Sequence, residues 1–393
     1  MNETGKKILF IHEGMITPTI VRMYLIDELL SAGFDVELYS LRFVRSLFNE
    51  LPDEVDSDIY HRLDSFDDFK KILNDRDVTK TIILSSVADN FMSRRVYSFL
   101  QKNHFLYVYI NPYGNVMGKG KLSLHEKIQL AFSSNILKKI MPKLKTIYNN
   151  KVYNPLHHID FEKHVLASTK PREVAINSND YEVYLELEQQ NERIVVGQYI
   201  LFIDIFFPLH PELPYYFGNQ EVSSEPYLNS INHFFDFIEE KYKLPVVVAL
   251  HPKSKYSDAD FGGRRTYKYK THSLIKDAEI VLNHVSTSTT LAILYNKPTL
   301  YFYMQCMLDF YPKYIRKLIW SAESVGKEAI NIDAIDLKTL NISTFDDAYR
   351  DHFIYNFMTT KENENKSNKE IIVTLLNDLF LKLENGEKTP FNS

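Results

Sequence analysis

Two segments of this chain combine residue types suited to holding phosphate. In "VVVALHPKSKY", 246–256, His251, Pro252 and Lys253 follow an uninterrupted apolar run. Such a run reads as a buried parallel strand, so His251 emerges at its carboxyl end, where open α/β sheets bind their ligands. Pro252 biases His251 towards an extended backbone. An imidazole there can donate to a phosphate oxygen and, when protonated, stabilise a departing nucleotide. Lys253 and Lys255 add positive charge. The second segment, "EIVLNHVSTSTTLAILYNKP", 279–298, reads as a strand, a hydroxyl-rich turn and a helix. Ser286, Thr287, Ser288 and Thr289 fall at the start of that helix, where backbone N–H groups and the helix dipole favour an anion. One Ser or Thr satisfies an N-cap, and the run of five hydroxyl residues from Ser286 to Thr290 exceeds that need. The turn lacks Gly and Lys, which argues against a P-loop or a GxGxxG dinucleotide site.

Further polar residues stand near apolar runs. "LFIDIFFPLHPE" offers Asp204 and His210 as ligand contacts, with a turn-forming role for Pro208 and Pro211 as the competing reading. "FGGRRTYKYK" carries Arg264, whose guanidinium fork can grip a carboxylate or phosphate, against the alternative of a solvated basic loop. The paired histidines at 157–158 lack a spaced partner, and "DSD" (56–58) and "DAD" (258–260) are D-x-D by letter only. No metal is expected.

These residues need a scaffold that presents strand ends. "KKILFIHEGM" reads as a short buried strand and a turn; "TPTIVRMYLIDELLSAGF" then has helical spacing, closed by Gly33, before the strand "DVELYSL". Strand, helix and strand in this order imply a parallel sheet with right-handed crossovers. "TKTIILSSVADN" and "FLYVYINPYGN" repeat the theme. From "RIVVGQYILFIDIFFP" onward, strands and helices alternate again through "KPTLYFY". The fold class is therefore α/β, with two Rossmann-like domains bearing parallel sheets that face a cleft. The first spans 1–190, with a basic helical insert at 116–155; the second spans 191–345; helices and a polar tail fill 346–393.

Bulk properties narrow the function classes. The chain has 393 residues, 45% hydrophobic, enough for two cores. A net charge of −5 leaves no chain-wide basic field, so nucleic acid is not an expected partner. A single cysteine, Cys306, excludes an internal disulfide and suits a reducing compartment. Cys306 reads as a packed small side chain rather than a reactive thiol. The start "MNETGKKILFI" does not read as a signal peptide, and "IVVGQYILFIDIFFPLH" is interrupted by Gln198 and Asp204 and too short to span a bilayer. The reading is a cytoplasmic protein. Between 116 and 155, eight lysines stand against one acid, Glu126; the lysines from 119 to 145 suit either an anionic membrane surface, placing the protein at the inner face of the membrane, or a solvated helix face.

A His-Pro at a strand end, a Ser/Thr-rich turn thirty-five residues on (251 to 286), a helix and then Lys297-Pro298 resemble the nucleotide-sugar domain of GT-B glycosyltransferases. The likeness is strongest to the sialyl/polysialyltransferase and Kdo-transferase groups of bacterial capsule and lipopolysaccharide synthesis. It covers about residues 195–305, and the first domain only by architecture. The resemblance implies a CMP-linked acidic sugar donor (sialic acid, Kdo or a related nonulosonate), a glycan or glycolipid acceptor, and inverting transfer without a metal. It casts His251 and the Ser286–Thr289 cluster as contacts to the CMP phosphate and ribose, with Pro252 and Lys253 beside them as further candidates. It also implies that the base taking the acceptor's proton comes from the first domain. Glu13 in "FIHEGM" and Asp89 in "LSSVADN" stand at strand ends there, Glu13 being favoured because Gly14 permits close backbone approach. His12 and Asn111 are further candidates for orienting donor or acceptor. UDP-sugar and CDP-glycerol-type transferases, and isomerases like UDP-N-acetylglucosamine 2-epimerase, show related patterns.

Overall fold

The computed structural model describes residues 5–44, 57–87, 93–110, 174–190, 193–210, 213, 223–284, 286 and 288–387. The chain divides into two compact units, residues 1–113, 122–179 and 359–393 in the first, and 114–121 with 180–358 in the second.

Among the described residues, the first unit contains five strands: β1 (Lys7–His12), β2 (Asp35–Leu41), β3 (Tyr60–Leu63), β4 (Thr81–Ser85) and β5 (Leu106–Tyr109). All pair in parallel, in the order β3-β2-β1-β4-β5. The chain thus starts at β1, winds outward through β2 and β3, and returns to β4, leaving a reversal of direction between β1 and β4. The apolar runs follow from burial on both faces. Ile8 and Phe10 belong to one core, and Leu9 and Ile11 to the core on the opposite face.

Where one helix is expected after β1, the structure has two, Pro18–Met23 and Ile26–Ser31. Thr17 caps the first through the Ile20 amide, and Leu25 breaks the run with a left-handed backbone, φ 58°. The break lets Tyr24 and Ile26, two residues apart, both bury fully. The last helix, Asn368–Glu384, opens with a reciprocal capping box between Ser367 and Glu370. Its Ile372, Leu376, Leu379 and Phe380 complete the core that holds Ile8, Phe34 and Ile82. The Asn368 side chain clamps its start to the Asn177 backbone, accepting from the Asn177 amide at 2.8 Å and donating to the Asn177 carbonyl at 2.9 Å. Residues 346–393 therefore do not form an end module of their own: the final helix belongs to the first unit, whereas Phe353 is buried in the second.

The second unit contains β6 (Ile200–Ile203), β7 (Val246–Leu250), β8 (Thr266–Lys268), β9 (Ile280–Asn283), β10 (Thr299–Tyr303) and β11 (Ala329–Asn331). They form a parallel sheet in the order β11-β10-β9-β6-β7-β8, with the reversal between β6 and β9. Two boundaries differ from the sequence reading. Helix Asn179–Glu188 packs its Tyr181 and Leu187 against Leu291 and Ile293 of this unit, instead of closing the first. The strand expected from Ile194 begins at Ile200, because Gly197 turns the backbone at φ 98° and leaves Val196 96% exposed. Both units are doubly wound parallel α/β sheets, as the alternation of elements implied.

Candidate functional site

In a doubly wound sheet, ligands bind outside the carboxyl ends of the strands at the point where winding reverses. In the second unit that point lies between β6, which ends in Asp204, and β9, which leads into the hydroxyl-rich turn. Asp204 is 2% exposed. Its carboxylate accepts from the Phe206 amide at 2.8 Å and the His251 amide at 3.2 Å, tying the end of β6 to the end of β7. Burial pushes its pKa up to about 6, against hydrogen bonds from Phe206, His251 and Ser254 that pull it down. An acid so enclosed holds the loop that carries His251, so the structure buries Asp204 where the sequence suggested a ligand contact.

His251 is half-buried, and its Nδ1 accepts the Lys253 amide at 3.1 Å. With Nδ1 an acceptor, the neutral ring carries its proton on Nε2 and presents a donor. The ring of His210 meets it edge-on, centroids 4.7 Å apart, so the loops after β6 and β7 bring two imidazoles together. Pro252 and Lys253 are exposed beside them.

The turn after β9 is less open than its composition suggests. Helix Thr289–Leu294 has six residues, so its dipole is small. The Ser288 amide points to Ser286 Oγ at 3.3 Å, the Thr289 amide to the Ser286 carbonyl at 3.3 Å, and the Leu291 amide to the Ser288 carbonyl at 3.1 Å. Thr289 Oγ1 donates to the Ser286 carbonyl at 2.8 Å, and Thr290 Oγ1 donates to Asp180. Ser286 and Ser288 stand half-buried at the edge, while Thr289 and Thr290 are structural. Thr287 lies outside the described residues.

Arg264 precedes β8 and therefore sits at the amino edge of the sheet, away from His251. Its guanidinium bridges Asp236 at 2.5 Å and Glu239 at 2.6 Å and lies over the Phe235 ring, fastening helix Glu225–Tyr242. The fork expected to grip a ligand is occupied. His284, a residue the motif reading passed over, is fully buried between Phe202 and Phe302 and bonds the Phe302 carbonyl at 2.7 Å. Burial lowers its pKa to about 4, so it is a neutral core group. Burial also pushes the half-buried Cys306 thiol up to about 11, which makes it a poor nucleophile.

The carboxyl edge of the first sheet has its own constellation. His12 ends β1 and Ser86 follows β4, on either side of the reversal, with Nδ1 and Oγ 2.7 Å apart. Ser86 Oγ also donates to the Ile11 carbonyl at 3.3 Å. If the Ser86 proton is directed to the Ile11 carbonyl, the fitting tautomer has Nδ1–H donating to Ser86 and the lone pair on Nε2. A Cβ on Gly14 would lie 3.1 Å from that Nε2, so the glycine leaves room beside it. Glu13 is half-buried next in sequence. Sequence reading named Glu13 as base and His12 as a group orienting donor or acceptor; what it could not show is the contact of His12 with Ser86, 74 residues away in the chain. Asp89, Asn111 and the lysines from 119 to 145 lie outside the described residues. Among the described residues, no group of three or more His, Cys, Asp or Glu could hold a metal ion, and no helix is long and apolar enough to cross a membrane.

No family model matches the sequence, and no curated protein matches it. Similar solved structures include the wall teichoic acid polymerase TagF, 11% identical, with 98% of this chain and 91% of that chain covered and a TM-score of 0.49. The calicheamicin glycosyltransferase CalG4 is 12% identical over 96% of this chain and 98% of its own, TM-score 0.48. The UDP-GlcNAc 2-epimerase of Methanocaldococcus jannaschii is 13% identical over 95% and 99%, TM-score 0.43. Likeness at this level carries no functional argument, and the reading that follows rests on the chain's own residues.

Proposed function

We propose that the chain is a glycosyltransferase that moves a sugar from a nucleotide-sugar donor to a glycan acceptor. The second unit binds the donor and the first supplies the proton acceptor. The observation that carries this reading is the edge formed by Asp204, His210 and His251: a buried acid fixes a loop so that an Nε2–H donor stands at the strand end beside the reversal point of the sheet. That is the group needed to hold a phosphate oxygen and to stabilise the charge left on it as the sugar–phosphate bond breaks.

In transfer of this kind the acceptor hydroxyl loses its proton while its oxygen attacks the anomeric carbon. The nucleotide departs with the electron pair of the broken C–O bond, and the sugar is inverted. Proton removal needs a group with a lone pair at neutral pH. Glu13 is the carboxylate suited to it by sequence, with Asp89 as its rival. A specific observation makes His12 a third candidate: Ser86 contacts its Nδ1 in a geometry that fits a lone pair on Nε2, and Gly14 leaves space beside that atom.

The finer reading, a CMP-linked acidic sugar transferred without a metal into a surface polysaccharide, rests on the resemblance carried by His251-Pro252 and the Ser286–Thr289 turn. A thermal-shift panel of CMP, CDP, UMP, UDP and GDP tests the donor. The cognate nucleotide at 100 times its dissociation constant raises stability by about 2.7 kcal/mol. Incubation with the matching nucleotide sugar then tests the reaction class. A transferase releases nucleotide only when acceptor is present; release or sugar isomerisation without acceptor rules transfer out.

A further inference from the structure

Strand β8 ends in a residue whose backbone and side chain are both unusual. Tyr269 adopts φ 62°, a left-handed conformation that bulky residues avoid, and it is 73% exposed. Burial does not offset the strain, and strain that persists at an exposed aromatic points to a role outside folding. Leu250 of β7 pairs with Lys268 of β8, so Tyr269 stands one residue beyond its strand just as His251 stands one residue beyond the neighbouring strand. Lys268 Nζ lies 5.7 Å from the centre of the Tyr269 ring and donates to the Ser254 carbonyl at 3.0 Å, in the loop that follows His251. Ring, ammonium and imidazole thus share one edge of the sheet.

The order of strands says which part of a nucleotide would meet them. In sheets wound this way a nucleotide lies across the strand ends from the reversal point outward, its phosphate nearest that point. Here β7 is the second strand and β8 the third. The base, next along the nucleoside, then falls at the end of β8. We propose that Tyr269 is the platform on which the donor's nucleobase stacks, with Lys268 beside it; this rests on the nucleotide-sugar reading above. Every base offers a π-face, so such a platform sets affinity and leaves the choice of base to other contacts.

The test compares ligands with and without a base. Binding of CMP, UMP and ribose 5-phosphate is measured by calorimetry on the full chain and on Tyr269→Ala, Tyr269→Phe, Tyr269→Gly and His251→Ala. Loss of the ring in Tyr269→Ala weakens the tighter-binding nucleotide about tenfold or more, and leaves ribose 5-phosphate unchanged. Tyr269→Phe retains wild-type affinity. Tyr269→Gly matches the alanine variant in binding while its melting temperature holds or rises, because glycine accepts φ 62° without strain. If Tyr269→Ala binds nucleotide like wild type while His251→Ala does not, the platform is overturned and the nucleotide-sugar reading survives. If ribose 5-phosphate weakens as much as the nucleotide, the ring is no base platform. If wild type binds none of the three and no nucleotide of the thermal-shift panel raises its melting temperature, both readings fall.

Discussion

His12 and His251 each leave a parallel strand at its carboxyl end, one in each unit, and their neighbours hold them in opposite tautomers. At His251 a backbone amide points at Nδ1, so the ring offers a proton from Nε2. At His12 a serine hydroxyl meets Nδ1, and where its own proton goes to the Ile11 carbonyl the ring has its lone pair on Nε2. The same side chain on the same kind of scaffold is thereby suited to donate a proton in one unit and to accept one in the other. What decides is one local partner: an amide can only donate, whereas a hydroxyl can be turned to accept. The supports differ too. The loop after β7 hangs on a buried carboxylate, Asp204, while the turn after β1 is held by the Ser40 hydroxyl on the Gly14 carbonyl at 2.7 Å.

The sharpest way to break the contrast is to remove each ring and read rate and affinity separately. His12→Ala is expected to slow transfer by roughly 10² to 10⁴ with nucleotide affinity unchanged, as measured by nucleotide release with acceptor present. Glu13→Gln should lose much less; if it loses more than His12→Ala, the carboxylate is the base and the tautomer argument fails in the first unit. His251→Ala should instead weaken nucleotide binding, about ten- to a hundredfold for a lost hydrogen bond to a charged group. Unchanged titration curves would take His251 out of the donor site.

Asp204 sharpens the comparison through pH. Its pKa is raised, to about 6, so the folded protein binds this proton more tightly than the unfolded chain. Stability from this group is therefore gained as pH falls through about 6 and lost again above it. Relative to Asp204→Asn, the wild type should gain up to about 3 kcal/mol between pH 8 and pH 4, read from urea unfolding at each pH. A flat difference would mean that the carboxyl is not enclosed. The smallest effect is expected at Arg264: Arg264→Ala should cost about 1 kcal/mol of stability through its lost ion pairs and leave nucleotide affinity alone. A drop in affinity would restore the anion-fork role.

The amphipathic and apolar runs made the architecture legible, because parallel strands buried on both faces leave continuous apolar words such as "VVVAL" and "IILS". His251 was legible for the same reason, since the run predicts where the strand ends. Less visible was everything set by partners far apart in the chain. The pairing of His12 with Ser86, the enclosure of Asp204 by the β7 loop, and the capture of Arg264 by Asp236 and Glu239 all depend on strand order, which no local pattern reveals. The hydroxyl run after β9 misled in part because Thr289 and Thr290 look like Ser286 in sequence, yet they close the turn and bond Asp180. Tyr269 gave no signal, as one tyrosine among 26.

The return of the last helix to the first unit has a consequence for how the chain is made. The second unit is built from residues up to 358, whereas the core over one face of the sheet that holds Lys7 is completed only when Ile372, Leu376, Leu379 and Phe380 are delivered. The portion synthesised earliest is thus the last to close, reversing the usual amino-to-carboxyl sequence of maturation. A stop codon before Asn368 would leave the earlier half exposed and sticky while sparing the later one.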